Sequence, residues 1–103
     1  MTQTMLYPDW KEKVVYSMQG PQPQVLVETD KLKVLVAGLE AGQKIPQHPE
    51  SLGMYYFLEG TGWIIVNGER LAVAPGAIVI VPEGTARGID AETRLAFLAA
   101  RVA

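Results

Sequence analysis

Apolar residues in this chain come in short runs of strand length, and glycine or proline closes most of them. Gln24–Glu28 alternates and Thr29-Asp30 turns. Lys31–Leu39 is β-branched and alternating at its start, and Glu40-Ala41-Gly42 turns again. Met54–Leu58 and Trp63–Val66 are apolar runs divided by Gly60-Thr61-Gly62. The second ends at Asn67-Gly68, the strongest short hairpin signal, because both central residues of a type I′ turn need positive φ. Glu69–Val73 is closed by Pro75-Gly76, Ala77–Val81 by Pro82-Glu83-Gly84, and Thr85–Asp90 is a further candidate strand. Short strands at this spacing predict an all-β sandwich or barrel.

Two stretches read less simply. Thr93–Val102 is rich in Ala, Leu and Arg, and Leu95, Leu98, Ala99 and Val102 fall on one helical face. The same residues alternate, with Arg94, Ala96 and Leu98 against Leu95, Phe97 and Ala99, and a barrel needs a closing strand. A strand is the expectation, and with it no helix beyond two turns. At the other end, Met1–Lys13 reads as an arm carrying Leu6, Tyr7 and Trp10. Val14–Met18 reads as a short strand, and Gln19–Pro23 as a loop whose prolines remove donors. The expected organisation is therefore an arm and loop over 1–23 and one barrel domain over 24–103.

Composition narrows the function. At 103 residues, 49% of them apolar, the chain can bury a core of its own. Nine Lys and Arg against eleven Asp and Glu leave no basic stripe, which argues against nucleic acid. There is no cysteine, hence no disulfide, thiolate metal site or thiol nucleophile. No apolar run approaches the ~20 residues that span a bilayer, and the first ten residues lack a signal peptide's basic and apolar regions. The expectation is a soluble cytoplasmic protein with no membrane partner.

Candidate chemistry centres on the only histidine. His48 lies on a polar loop with Glu50 two residues on. Its charge changes near neutral pH, which suits proton transfer or ligand hydrogen bonding. His plus carboxylate also suits first-row metals, although two ligands from one loop do not make a site. Tyr55, Phe57, Trp63 and Ile65 sit at period two, so each run presents one set to one face. Phe57 reads as core, whereas Tyr55 and Trp63 have polar handles suited to a pocket wall.

The turn residues carry a resemblance. Gly42, five residues and His48, then Gly60, Gly76, five residues, Pro82-Glu83-Gly84, resemble the two motifs of single-domain cupins over roughly 24–100. The resemblance implies a double-stranded β-helix, or jelly-roll barrel. It also implies a metal site, and here this chain departs from the family. Glu50 stands at the second His, Gly53 at the Glu, Arg87 at the third His and Ala91 at the Asn. An alternative register takes His48 as the second His and puts Pro46 at the first. A cation at 87 repels a metal and attracts an anion, either a ligand or an internal partner such as Glu50 or Asp90.

Four functions compete. The favoured one is a metal-free barrel binding a small anionic or sugar-like molecule through His48, Glu50, Tyr55, Trp63 and Arg87. The second is an enzyme of dioxygenase, isomerase or decarboxylase type holding Fe, Mn, Ni or Zn on His48 and Glu50. The third is a metal-free isomerase or epimerase with His48 as base, Tyr55 as acid and Arg87 as anion clamp. The fourth is a scaffold whose pocket is filled by its own side chains. A homodimer is expected, because the arm and the outward row Met54, Tyr56 and Leu58 ask for cover.

Overall fold

The computed structural model describes residues 3–103, so the first two residues of the expected arm lie outside it. Its strands are β1 (Gln24–Glu28), β2 (Leu32–Leu39), β3 (Lys44–Pro49), β4 (Gly53–Glu59) and β5 (Gly62–Val66). They continue with β6 (Glu69–Val73), β7 (Ile78–Val81), β8 (Ala86–Ala91) and β9 (Leu95–Val102). All neighbours pair antiparallel, in one sheet ordered β1-β2-β9-β4-β7 and a second ordered β3-β8-β5-β6. The two sheets face each other as a jelly-roll barrel, as the resemblance to cupins implied.

β9 settles the ambiguity of the C-terminal stretch. It pairs with β2 along its whole length and with β4 on its other side. In that setting the alternation governs: Leu95, Phe97 and Ala99 enter the core between the sheets, while Ala96 and Leu98 face outward. The ladder hydrogen bonds of two neighbours override the helix propensity of Ala, Leu and Arg. Among the described residues the only helical turn is the 3-10 turn Trp10–Glu12, capped by the Asp9 side chain.

Two expectations need correction. The stretch holding His48 is no loop but strand β3, with a bulge between Ile45 and His48. Pro46 and Pro49 hide it from a sequence reading, yet proline is tolerated on an edge strand, and β3 is the edge of its sheet. Val14–Met18 is not a strand. It is an extended tether that lays Val14 and Tyr16 over Gly38 of β2, where a Cβ would come within 2.8 Å of both side chains.

That tether gives the sheet its outer cover. Val14, Trp10 and Tyr16 pack on Val36, Leu58, Ala96 and Leu98. The Tyr16 hydroxyl donates to Glu59 at 2.7 Å, and Arg94 stacks on its ring at 4.3 Å while forking to Glu40. Burial, then the Glu59 carboxylate, holds the Tyr16 phenol well above its usual range. Trp10 and Leu58 are therefore covered within one subunit, and that part of the case for a dimer falls away.

Gly60 closes β4 at φ +80°, and a Cβ there would sit 1.8 Å from the Arg94 carbonyl oxygen. Gly60→Ala combines left-handed strain with a backbone clash and should cost on the order of 3 kcal/mol. Urea unfolding checks this, and a loss below about 1 kcal/mol would contradict the close approach.

Candidate functional site

The two sheets are packed tightly over part of their length and part at one end. In the first sheet the row Ala37, Phe97, Phe57 closes the core. The next row, Leu35, Ala99 and Tyr55, flanks open space, and the row after it, Lys33, Arg101 and Gly53, brings Arg101 to the rim. From the second sheet Ile45 and Ile89 face the same space, with His48 and Arg87 paired beyond them. The result is a cavity of about 230 Å³, apolar in its depth, with His48, Glu50, Arg87 and Arg101 among its lining.

Arg87 is only 3% exposed. A guanidinium so deep must have its donors satisfied, since an unsolvated charge costs several kcal/mol. Its Nε donates to Thr85 O at 2.9 Å, Nη1 to Ser51 O at 2.9 Å, and Nη2 to Pro82 O at 2.9 Å and Glu50 O at 3.3 Å. Four backbone carbonyls from two connections thus take four of its five N–H groups. This corrects both expected partners. Glu50 offers Arg87 its carbonyl, not its carboxylate, and Asp90 faces outward to Arg70 at 2.7 Å and Lys44 at 3.9 Å. Among the described residues no carboxylate pairs with Arg87.

The Glu50 carboxylate is held from two sides. One oxygen lies 2.6 Å from His48 Nε2 and the other 2.6 Å from Arg101 Nη1. Burial is the largest single influence and opposes its ionisation. The His48 hydrogen bond and the Arg101 charge together outweigh it and keep the carboxyl below the usual range. His48 itself is half exposed at the rim, with Nδ1 3.3 Å from Pro46 O. Arg101 was missed by sequence reading. Nothing local marks it, because its relation to Glu50 exists only once β9 lies beside β4.

Tyr55 is where period two placed it, buried against Phe97 with ring centroids 5.9 Å apart and lining the cavity. Its hydroxyl has no hydrogen-bond partner among the described residues. Trp63 is not in the wall. The inward positions of β5 are Ile64 and Val66, and Trp63 faces outward under the Arg70 guanidinium at 4.4 Å. His48, Glu50, Tyr55 and Arg87 thus share one cavity, and Trp63 lies outside it.

The donor set does not fit a metal. Among the described residues no three His, Asp or Glu side chains come together. Gly53, at the position of the family's Glu, has no side chain, and a Cβ there would lie 3.2 Å from Arg87 Nη1. The guanidinium occupies the space that a carboxylate from position 53 would enter. The two remaining candidates, His48 and Glu50, are bonded to one another, and the second oxygen of Glu50 is taken by a cation.

Arg87→Met would leave the Thr85 and Ser51 carbonyls without their donor and untie the two connections, and should destabilise by on the order of 3 kcal/mol in urea unfolding, with or without added anions. Equal stability of the variant would contradict the carbonyl cage. Glu50 makes a second prediction. Its folded pKa is lowered, so its stabilisation is present above the unfolded value of 4.5 and is lost as pH falls through the lower folded value. Glu50→Gln should flatten stability below pH 4.5 relative to the parent, as read by thermal melts across that range.

The wider comparisons agree with this architecture. A conserved protein of unknown function from Streptococcus pyogenes superposes with a TM-score of 0.85 at 24% identity, covering 98% of this chain and 90% of its own. An uncharacterised double-stranded β-helix protein from Klebsiella pneumoniae gives 0.87 at 22%, covering 97% and 90%. An RmlC-like cupin protein from Desulfovibrio desulfuricans gives 0.80 at 23%, covering 99% and 96%. At these identities the likeness is one of fold. No curated protein matches the sequence significantly. The family model described as "Cupin domain" matches residues 35–100, which take in both degenerate motifs and most of the barrel, and the chain belongs to the cupin family.

Proposed function

We propose that this barrel binds a small molecule between its two sheets without a metal. One observation carries the reading: beyond the Phe57 row the sheets leave a cavity with apolar depth and a charged rim. A scaffold filled by its own side chains would have closed that end. Apolar walls with a few fixed polar groups are the usual make-up of a small-molecule site. Ala99 lines the cavity with no more than a methyl group, so Ala99→Phe should fill it. A ligand at ten times its Kd stabilises the native state by about 1.4 kcal/mol, a melting shift of roughly 6 °C for a chain of this size. A panel of small acids and their neutral analogues should shift the parent and leave Ala99→Phe unmoved. No shift in the parent by any member would reject the cavity as a binding site.

The reading includes a homodimer. Outward positions of β4 and β7 form one apolar face: Met54 lies beside Ile80 and Tyr56 beside Ile78. Ile78 and Ile80 are 63% and 61% exposed, on an edge strand with unpaired backbone. The Met54 row runs on through Ala100 and Val34, while the Tyr56 row passes under the tether at Leu98 and Val36. A second copy of this chain offers the self-complementary surface that two-fold pairing needs. Sedimentation at micromolar concentration should give a dimer, and Ile78→Glu with Ile80→Glu should give a folded monomer. A parent that sediments as a monomer would reject the pairing.

A further inference from the structure

We infer that the cavity selects a small monocarboxylate with an apolar body, and that Arg101, not Arg87, receives its carboxylate. The inference rests on the binding role proposed above and adds the chemical class of the ligand.

Charge comes first. Two guanidiniums and one carboxylate line the cavity, and these three groups leave one positive charge in excess. Carbonyl dipoles solvate Arg87 but do not neutralise it. A monoanion in the cavity restores balance where the surroundings are mostly apolar and charge is weakly screened. A neutral ligand does not.

The two arginines then divide the work. Arg87 has one N–H left after its four carbonyls, and its position is locked by two connections. Arg101 contacts Glu50 through Nη1 alone, and its guanidinium has no other acceptor among the described residues. It retains the donors of a planar fork, the geometry that takes a carboxylate through two parallel bonds. Its side chain is 20% exposed and enters the rim from the end of β9. Glu50, anchored on its far side by His48, holds that guanidinium in place. Glu50 and His48 are positioning residues here.

The walls fix the rest of the ligand. Leu35, Ile45, Ile89, Phe97 and Ala99 offer no hydrogen bonds, and the Tyr55 hydroxyl is the one polar group among them. A sugar would leave several hydroxyls unpaired there, each a desolvation cost. A cavity of ~150 Å³ lined by such residues takes benzene. At about 230 Å³ this one has room for a ring or a branched chain of similar size together with a carboxylate.

The test is a thermal-shift and calorimetric titration of the full chain with benzoate, 4-methylpentanoate, benzamide, acetate and gluconate. Benzoate and 4-methylpentanoate should bind at least tenfold more tightly than benzamide, acetate or gluconate. Arg101→Met should bring benzoate down to the level of benzamide while Ala99→Phe abolishes both. Arg101→Gln is the second variant should the first fail to fold. Equal binding of benzoate and benzamide to the parent would overturn the anion assignment and leave the cavity reading standing. Gluconate binding in preference to benzoate would overturn the apolar body. A charge preference that survives in Arg101→Met would return the anion to Arg87. Binding by none of the five, with Ala99→Phe indistinguishable from the parent, would remove the cavity reading and this inference together.

Discussion

A buried guanidinium has to be solvated by something, and that requirement organises one whole end of this barrel. Water cannot reach Arg87 in quantity and no carboxylate is placed beside it, so backbone carbonyls do the work. They come from the β3–β4 and β7–β8 connections, which are thereby drawn together across the rim. Gly84 N reinforces the same junction by donating to Glu50 O. Gly53 is the complement of this arrangement, since any side chain there would contend with Nη1 for space.

The remainder of the molecule frames that end. Phe57, Leu39, Ile64 and Leu95 are fully buried and close the opposite part of the barrel. The N-terminal tether seals the outer face of β2 and β9, latched through Tyr16, Glu59, Arg94 and Glu40. Two outward aromatics are covered by cations, Arg70 over Trp63 and Arg94 over Tyr16, which shields ring faces without further backbone. Among the large apolar residues of the strands, Ile78 and Ile80 of β7 stay the barest.

Much of this was legible in the chain itself. Alternation and short apolar runs broken by Gly and Pro mark β1, β4, β5, β6 and β7 to within a residue or so of their observed ends, because those signals act over neighbouring residues. The Asn67-Gly68 turn was equally plain, with φ of 49° and 83° at its two positions. So was the loss of metal ligands, which follows from residue type at counted positions. β3 was not legible: its two prolines argue against a strand unless it is known to lie at an edge, and edges belong to the sheet. The N-terminal tether likewise owes its shape to Gly38 beneath it.

The site shows the same division at the level of single side chains. Sequence alone determined that position 87 carries a cation, that His48 and Glu50 lie close together, and that Tyr55 and Phe57 share a face. It could not determine what the cation touches. Carbonyl groups carry no signature in residue identity, yet four of them satisfy Arg87. Nor could it pair Glu50 with Arg101, half the chain away and adjacent only through the register of β9 on β4. Trp63 depended on register too, for a slip of one residue exchanges the faces of a strand. Local preference fixes which elements form and which residues alternate. Partners across strands exist only after the sheets have assembled, and those partners decide what the site can hold.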